Sequence, residues 1–336
     1  MAANAAAGDA PPPPHVVEDC RGALLVLSDG TVIRSTPPIA APEAVRADPS
    51  VEWKDAVYDA THGLRLRIYK PAAAAGDTKL PVVVYFHGGG FCIGSYAWPI
   101  FHAACTRLAA DLPAVVLSAD YRLAPEHRLP AAIDDAAAVL LWLRDNIITD
   151  PWLAEHADAT RAFVAGESAG GVLVHHMNAR FFSGTASEQL SPVRLRGFVQ
   201  LMPFFAGREP TPSELACPDG AFLNRDMAGR YVRLSLPAGA AADHPFLNPF
   251  SPDTAPGLEG VDVGPTLVVV AGDDMLRDRN LEYVRRMKEM GKPVEAVEFK
   301  GQGHAFFSLR PWSGAVDEMV RAVKGFIDKV SAQIEL

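Results

Sequence analysis

Three residue types far apart in the chain could together activate a hydroxyl group. Ser168 stands in Gly166-Glu167-Ser168-Ala169-Gly170, His304 stands in Gly301-Gln302-Gly303-His304-Ala305-Phe306, and Asp273, Asp274 and Asp278 lie between them in sequence. A serine hydroxyl is a weak nucleophile, so it needs a base within hydrogen-bond reach and a carboxylate that holds the base in the right tautomer. The chemistry this would serve is acyl transfer, whose transition state places negative charge on the former carbonyl oxygen. Preorganised backbone N–H donors at that oxygen are worth about 3 kcal/mol each. His87-Gly88-Gly89-Gly90-Phe91 offers such a backbone, free of obstructing side chains. The amides of Gly89, Gly90 and Ala169 are the candidate donors. His87 reads as a side chain that holds this loop rather than as a second base.

Each of these residues needs an element that delivers it to one place. Ser168 follows the short apolar run Ala162 to Ala165 and precedes the helix-compatible run Val172 to Phe182. Strand, sharp turn and helix is the context a nucleophile elbow requires, and Gly166 and Gly170 let the two elements approach closely. The glycine loop follows the continuous apolar run Val82 to Phe86, which reads as a strand buried on both faces. The acids follow a predicted strand, Thr266 to Ala271, and His304 follows another, Val294 to Phe299. Asp278 falls in the first turn of the next helix, where a carboxylate favours the dipole, a structural role. Asp273 and Asp274 remain as candidate partners of the base, with Asp274 nearer the apex of the loop.

The wider pattern is an alternation of strands and helices: helix Phe101 to Ala110, strand Ala114 to Ala119, helix Ala131 to Asn146, strand Arg161 to Ala165, strand Leu195 to Met202, helix Arg277 to Met290 and helix Gly314 to Ile334. This implies an α/β fold with a mostly parallel central sheet and helices on both faces. Val51 to Ala60 and Leu64 to Tyr69 alternate and predict an antiparallel pair at a sheet edge, and Leu24 to Ile33 predicts a hairpin. Residues 203–264 are rich in proline and glycine, with at most short helices near Arg225 to Leu234. A segment of that length in a compact domain is usually a lid or binding loop. The reading is a disordered tail over 1–15 and a single domain over 16–336, with cap elements at about 16–50 and 203–264.

Composition removes several classes. With 336 residues, a formal net charge of −9 and no basic cluster, the chain lacks the concentrated Lys and Arg footprint that nucleic acid demands. The four cysteines are scattered, so neither a zinc site nor a disulfide framework is expected. No run approaches the roughly 20 apolar residues that span a bilayer. Met1 to Pro14 has no basic start, apolar core or arginines of a targeting segment. The expectation is a cytoplasmic protein, with the nucleus also open to it, and no cofactor. Glu126, His127, Asp134 and Asp135 match no metal-site spacing and read as a polar network beneath the site. Aromatic residues gather in the predicted loops, and Phe91, Tyr96, Phe205 and Phe306 are the expected walls of an apolar substrate pocket.

Taken together, HGGGF at 87–91, DYRLAPEH at 120–127, GESAGG at 166–171, GDDMLRD at 272–278 and GHAF at 303–306 resemble the hormone-sensitive-lipase branch of the α/β-hydrolases. Glu18-Asp19-Cys20, Asn248-Pro249-Phe250 and Arg233-Leu234-Ser235-Leu236-Pro237 narrow the resemblance to plant class I carboxylesterases, closest to the carboxylesterase 15 subgroup. The resemblance implies an α/β-hydrolase fold, a small-molecule ester as partner, Ser168, Asp274 and His304 as the triad, and Gly89, Gly90 and Ala169 as the oxyanion hole. The subgroup suggests strigolactone-type plant hormones as substrates. Gibberellin receptors, which resemble these esterases but lack the catalytic histidine, supply the alternative of a non-hydrolytic hormone receptor. Here His304 is present and the glycine loop intact.

Overall fold

The continuous apolar runs of the sequence become the central strands of a parallel sheet in the computed structural model, which describes residues 13–35, 48–72, 78–253 and 257–332. The chain divides into two units, Met1–Pro37 and Pro38–Leu336. In the first, β1 (Val16–Cys20), β2 (Leu24–Leu27) and β3 (Val32–Arg34) form a three-stranded antiparallel sheet in that order. Tight turns make this possible: Arg21 and Gly22 have φ of 58° and 68°, and the Gly22 N–H donates to Asp19 Oδ1 at 2.7 Å. The expected hairpin is β2 with β3, where Leu24 faces Arg34, and β1 adds a strand that Glu18 and Asp19 conceal in sequence. Within the span expected as a single domain, 16–336, these three strands pair with one another and form a sheet of their own. The expected tail falls mainly on residues 1–12 and part of the expected N-terminal cap on 36–47, both outside the described residues.

The second unit carries an eight-stranded sheet. Its strands and helices run β4 (Val51–Asp59), β5 (Leu64–Pro71), β6 (Leu80–Phe86), α1 (Pro99–Asp111), β7 (Val115–Ala119), α2 (Ala131–Asn146), α3 (Pro151–His156), β8 (Ala157–Glu167), α4 (Ala169–Phe181) and α5 (Gly184–Glu188). Then follow β9 (Leu195–Leu201), α6 (Pro212–Leu215), α7 (Arg225–Ser235), β10 (Thr266–Ala271), α8 (Arg277–Glu289), β11 (Val294–Phe299), α9 (Phe306–Leu309) and α10 (Gly314–Ala332). The sheet order is β11-β10-β9-β8-β6-β7-β5-β4. The six strands from β6 to β11 are parallel, and β5 and β4 are added antiparallel at one edge, as the alternating pattern predicts.

Burial follows the same logic. Val82, Val84, Tyr85 and Phe86 of β6 are fully buried, as a strand covered on both faces requires. In α8, Tyr283, Val284 and Met287 form the buried face that helical spacing predicts. The long segment after β9 holds more order than its proline content suggests. Thr211 and Glu214 close a capping box on α6, and Asn224 Oδ1 accepts the Met227 N–H at 2.9 Å to start α7. Ser213 N–H donates to Asp278 Oδ2 at 2.8 Å and Glu214 pairs with Arg279, so α6 is fastened to the first turn of α8.

Two features of this framework have measurable consequences. A methyl on Gly166 would lie 2.4 Å from the backbone of Gly170. Gly166→Ala must therefore push β8 and α4 apart, and we expect a loss of about 2 kcal/mol or more, read as a fall in thermal midpoint; an unchanged midpoint would refute the close-approach argument. Burial also lowers His87 to about 4 and His175 to about 3, both neutral in the folded chain. Unfolded, each charges below about 6.5, so the unfolded state binds more protons and stability falls as pH drops from 6.5 towards 4. Burial raises Asp120 to about 6, which acts in the opposite sense between 3.8 and 6 and offsets part of this. The net expectation is a loss of several kcal/mol between pH 7 and pH 4, checked by denaturant melts across that range; flat stability would contradict it.

Candidate active site

Ser168 stands between the last residue of β8 and the first of α4 with φ 56° and ψ −114°. An L residue rarely holds such a backbone, and it persists only where its surroundings enforce it. Here they do so through hydrogen bonds: Ser168 N–H donates to Leu201 O at 2.8 Å, and Phe204 N–H donates to Ser168 O at 2.9 Å. The two bonds tie the turn to the end of β9. The side chain is thereby lifted off the sheet's carboxyl edge at the amino end of α4, where the dipole favours negative charge.

His304 reaches the same point from the loop after β11. Ser168 Oγ–H donates to His304 Nε2 at 2.9 Å, and His304 Nδ1–H donates to Asp274 Oδ2 at 2.7 Å. The other carboxylate oxygen, Asp274 Oδ1, accepts the Leu276 N–H at 3.0 Å. Asp274 is buried, whereas Asp273 is exposed and engages the His304 loop through its backbone, its N–H donating to Gln302 O at 2.9 Å. Of the two acids left open by the sequence, the structure brings Asp274 to the imidazole. Asp278 caps α6 instead, through Ser213. The three side chains are separated by 136 and 30 residues along the chain and meet in one hydrogen-bonded row.

The glycine loop passes directly beside the serine. A methyl on Gly88 would lie 3.3 Å from Ser168 Cβ. Gly89 and Gly90 have φ of 119° and 60°, and a methyl on Gly89 would collide with Ile93 O at 2.0 Å, so glycine is required on both counts. The motif at 120–127 fastens this loop. Tyr121 stacks on His87 at 4.4 Å and its hydroxyl donates to His87 O at 2.8 Å, while Ala124 N–H donates to Phe91 O at 2.8 Å. His87 Nδ1–H donates to Gly88 O at 2.7 Å, the loop-holding role its position suggests. Asp135 accepts Arg122 N–H and its guanidinium, so it belongs to the polar network beneath the site.

The four expected pocket aromatics are placed differently from one another. Phe306 lines a cavity of about 830 Å³ together with Asp274, His304, Met275 and Leu223. Phe91 is 1% exposed and packs near Tyr121. Tyr96 turns towards the antiparallel edge, its hydroxyl donating to Asp55 Oδ2 at 3.3 Å and its ring facing Arg67, because Asp120 holds its amide on that side. Phe205 packs on Tyr283 at 4.7 Å, between α4 and α8. Phe91 and Tyr96 thus make packing contacts, while Phe205 also lines a smaller cavity with Phe204, Ala228 and Leu276. Two participants were missed. Tyr231 of α7 lies on the glycine loop, its ring where a methyl on Gly90 would stand at 2.2 Å. Its place on the buried face of α7, with Ala228 and Leu234, was a legible signal. Ser308 of α9 bonds Glu167, and a charged residue closing the apolar β8 run was the signal there.

Comparison with known proteins agrees with this geometry. Residues 83–308 match the family described as the alpha/beta hydrolase fold. Among curated proteins, the chain is 32% identical to probable carboxylesterase 2 of Arabidopsis thaliana over 92% of this chain and 95% of that one. It is 37% identical to carboxylesterase 20 of the same plant, over 79% and 81%. Among solved structures, an esterase of Pyrobaculum calidifontis superposes with a TM-score of 0.68 at 29% identity, covering 86% of this chain and 87% of that one. A thermostable carboxylesterase cloned from a metagenomic library gives 0.70 at 30%, covering 86% and 92%. The fold, the motifs and these matches agree, and the chain belongs to the α/β-hydrolases and, within their hormone-sensitive-lipase-type branch, to the plant carboxylesterase family.

Proposed function

We propose that the chain hydrolyses small apolar carboxylic esters through an acyl-enzyme on Ser168. The observation that carries this reading is the pair of hydrogen bonds at His304, 2.9 Å to Ser168 and 2.7 Å to Asp274. His304 takes the serine proton as Oγ attacks the ester carbonyl, then returns it to the leaving alcohol; water repeats the sequence and clears the acyl group. Asp274 fixes the tautomer with Nδ1 protonated and favours the imidazolium. The amides of Gly89, Gly90 and Ala169 are the proposed oxyanion donors, supported by a glycine loop held in left-handed conformations beside the nucleophile. A receptor that binds without turnover finds less support, since binding alone needs no imidazole aligned on a serine.

The substrate class rests on finer resemblance. The motifs at 18–20, 233–237 and 248–250 support a strigolactone-type butenolide ester, and the cytoplasm as its place of action belongs to the same proposal. The names of two tulip relatives place those proteins in the chloroplast, so imaging the tagged full chain against plastid markers tests the location.

Ser168→Ala and His304→Val should each lower p-nitrophenyl acetate turnover at least about a thousandfold while leaving the thermal midpoint within a few degrees. Comparable turnover by the alanine variant would remove Ser168 from the chemistry. A panel comparing short acyl esters with strigolactones tests the substrate: kcat/KM at least about tenfold higher for the butenolide is expected, and the reverse order would transfer the assignment to simple acyl esters.

A further inference from the structure

A buried carboxylate adjoins the nucleophile and takes no part in the proton path above. Glu167, the last residue of β8, is 1% exposed. Buried Asp135 and Glu214 each face an arginine. Among the described residues Glu167 is held instead by a hydroxyl and an amide: Ser308 Oγ–H donates to Oε1 at 2.7 Å and Ser308 N–H to Oε2 at 3.3 Å. Taking a carboxylate out of water without a cation costs several kcal/mol, and for packing alone an uncharged residue would serve better. The position therefore calls for a reason to keep the charge.

Its surroundings supply one. Ser308 lies in α9, which begins two residues after His304, and Ala305 between them holds φ 61°. Glu167 is bonded covalently to Ser168, so its carboxylate pins the segment carrying the base to the turn carrying the nucleophile across 141 residues. It also underlies the glycine loop, since a methyl on Gly88 would lie 3.4 Å from Glu167 Oε1. The titratable groups that face it are His304 and Asp274 on the site side, Tyr85 of β6 and Cys105 of α1. Burial raises the carboxyl above its ordinary range; the Ser308 bonds and the charge of His304 work against that rise, and Asp274 adds to it. Tyr85 and Cys105, themselves raised by burial first, are neutral neighbours at working pH.

We propose that Glu167 is a positioning residue for His304: through Ser308 it fixes the base-bearing loop against the nucleophile turn, and its charge favours the imidazolium that forms as Ser168 attacks. This rests on the hydrolytic reading above. Two carboxylates then serve one imidazole, Asp274 in direct contact and Glu167 from the side of the elbow, in an environment dry enough for the second to be felt.

The test is Glu167→Gln, which keeps the shape and an acceptor for Ser308 but removes the charge. The expected result is kcat lowered roughly tenfold with KM within about twofold, and the acid limb of the kcat/KM–pH profile displaced by about half a unit or more to lower pH, because the imidazolium loses a favourable charge. Wild-type kcat with an unmoved limb overturns the proposal. So does an activity loss that merely follows a lower thermal midpoint with the limb in place, which would make Glu167 a packing residue. Should that variant not fold, Ser308→Ala decides: it retains the carboxylate and loses the 2.7 Å bond, so kcat should fall at least about threefold at constant KM, and wild-type kcat again overturns the proposal. Ser168→Ala in the same assays separates the two ideas. Its turnover would sink the hydrolytic reading and this one with it, whereas an inert Ser168→Ala beside an unaltered Glu167→Gln removes only the role of Glu167.

Discussion

Everything in the site depends on one close approach, where the end of β8 and the start of α4 meet the end of β6. A methyl on Gly170 would stand 2.0 Å from Phe86 O, and one on Gly166 would meet Gly170 at 2.4 Å. Backbone packed at this distance leaves no room for a relaxed turn, so Ser168 is driven to positive φ and its hydroxyl is presented above the sheet. The same contact brings the glycine loop after Phe86 alongside the serine. Nucleophile and proposed oxyanion donors are thus placed by one packing event rather than by two separate devices. The strain at Ser168 is held by bonds to β9, whose register with β8 and β10 is fixed over several residues.

Burial is the second constraint, and it converts placement into chemistry. His304 and Asp274 are both nearly sealed from solvent, so the bond between them acts in a medium where charge is weakly screened. The cost of that dryness appears elsewhere as polar groups that must be satisfied internally. Asp274 is met by a backbone amide as well as by the imidazole, and Glu167 by both donors of Ser308. His87 escapes the cost by remaining neutral, stacked on Tyr121. Polar residues beneath the site are therefore parts of a scaffold that tolerates charge at one point because neighbouring groups are neutral or paired.

The sequence made some of this legible and hid the rest for physical reasons. The parallel strands were plain because a strand covered on both faces must be apolar throughout, as Val82 to Phe86 is. The helix Ala131–Asn146 emerged with its boundaries because Pro130 and the turn after Asn146 punctuate it. Ser168 and His304 could be picked from local context, since glycines are needed wherever backbone approaches backbone. Asp273 and Asp274 could not be separated by local reasoning alone; what separates them is which side chain is turned inward, a tertiary fact. Short elements such as α3, α5 and α9 were invisible, being one or two turns long with no complete apolar period. The roles of the aromatics are hidden for the same reason: Tyr96 and Phe205 are large and apolar whether they pack or line a pocket, and the sequence does not show their partners, Asp55 and Tyr283.

The segment after β9 separates chemistry from selection. None of the three residues in the hydrogen-bonded row comes from it, yet its residues touch the row's surroundings: Tyr231 lies on Gly90, and Leu223 lines the cavity that reaches Asp274 and His304. Its α6 is tied to α8 by Ser213 and Glu214, and α8 starts three residues after Asp274. A change in this segment can therefore alter what fits in the cavity beside Asp274 and His304 without moving the groups that exchange protons. Conversely, its anchor on α8 means that it cannot shift far without reaching the loop that holds the acid. Substitutions at Phe222 or Leu223 should thus act on substrate choice, while disruption of the Glu214–Arg279 pair would carry through to the orientation of the base, and that difference follows from where each group is fastened rather than from how near it lies to Ser168.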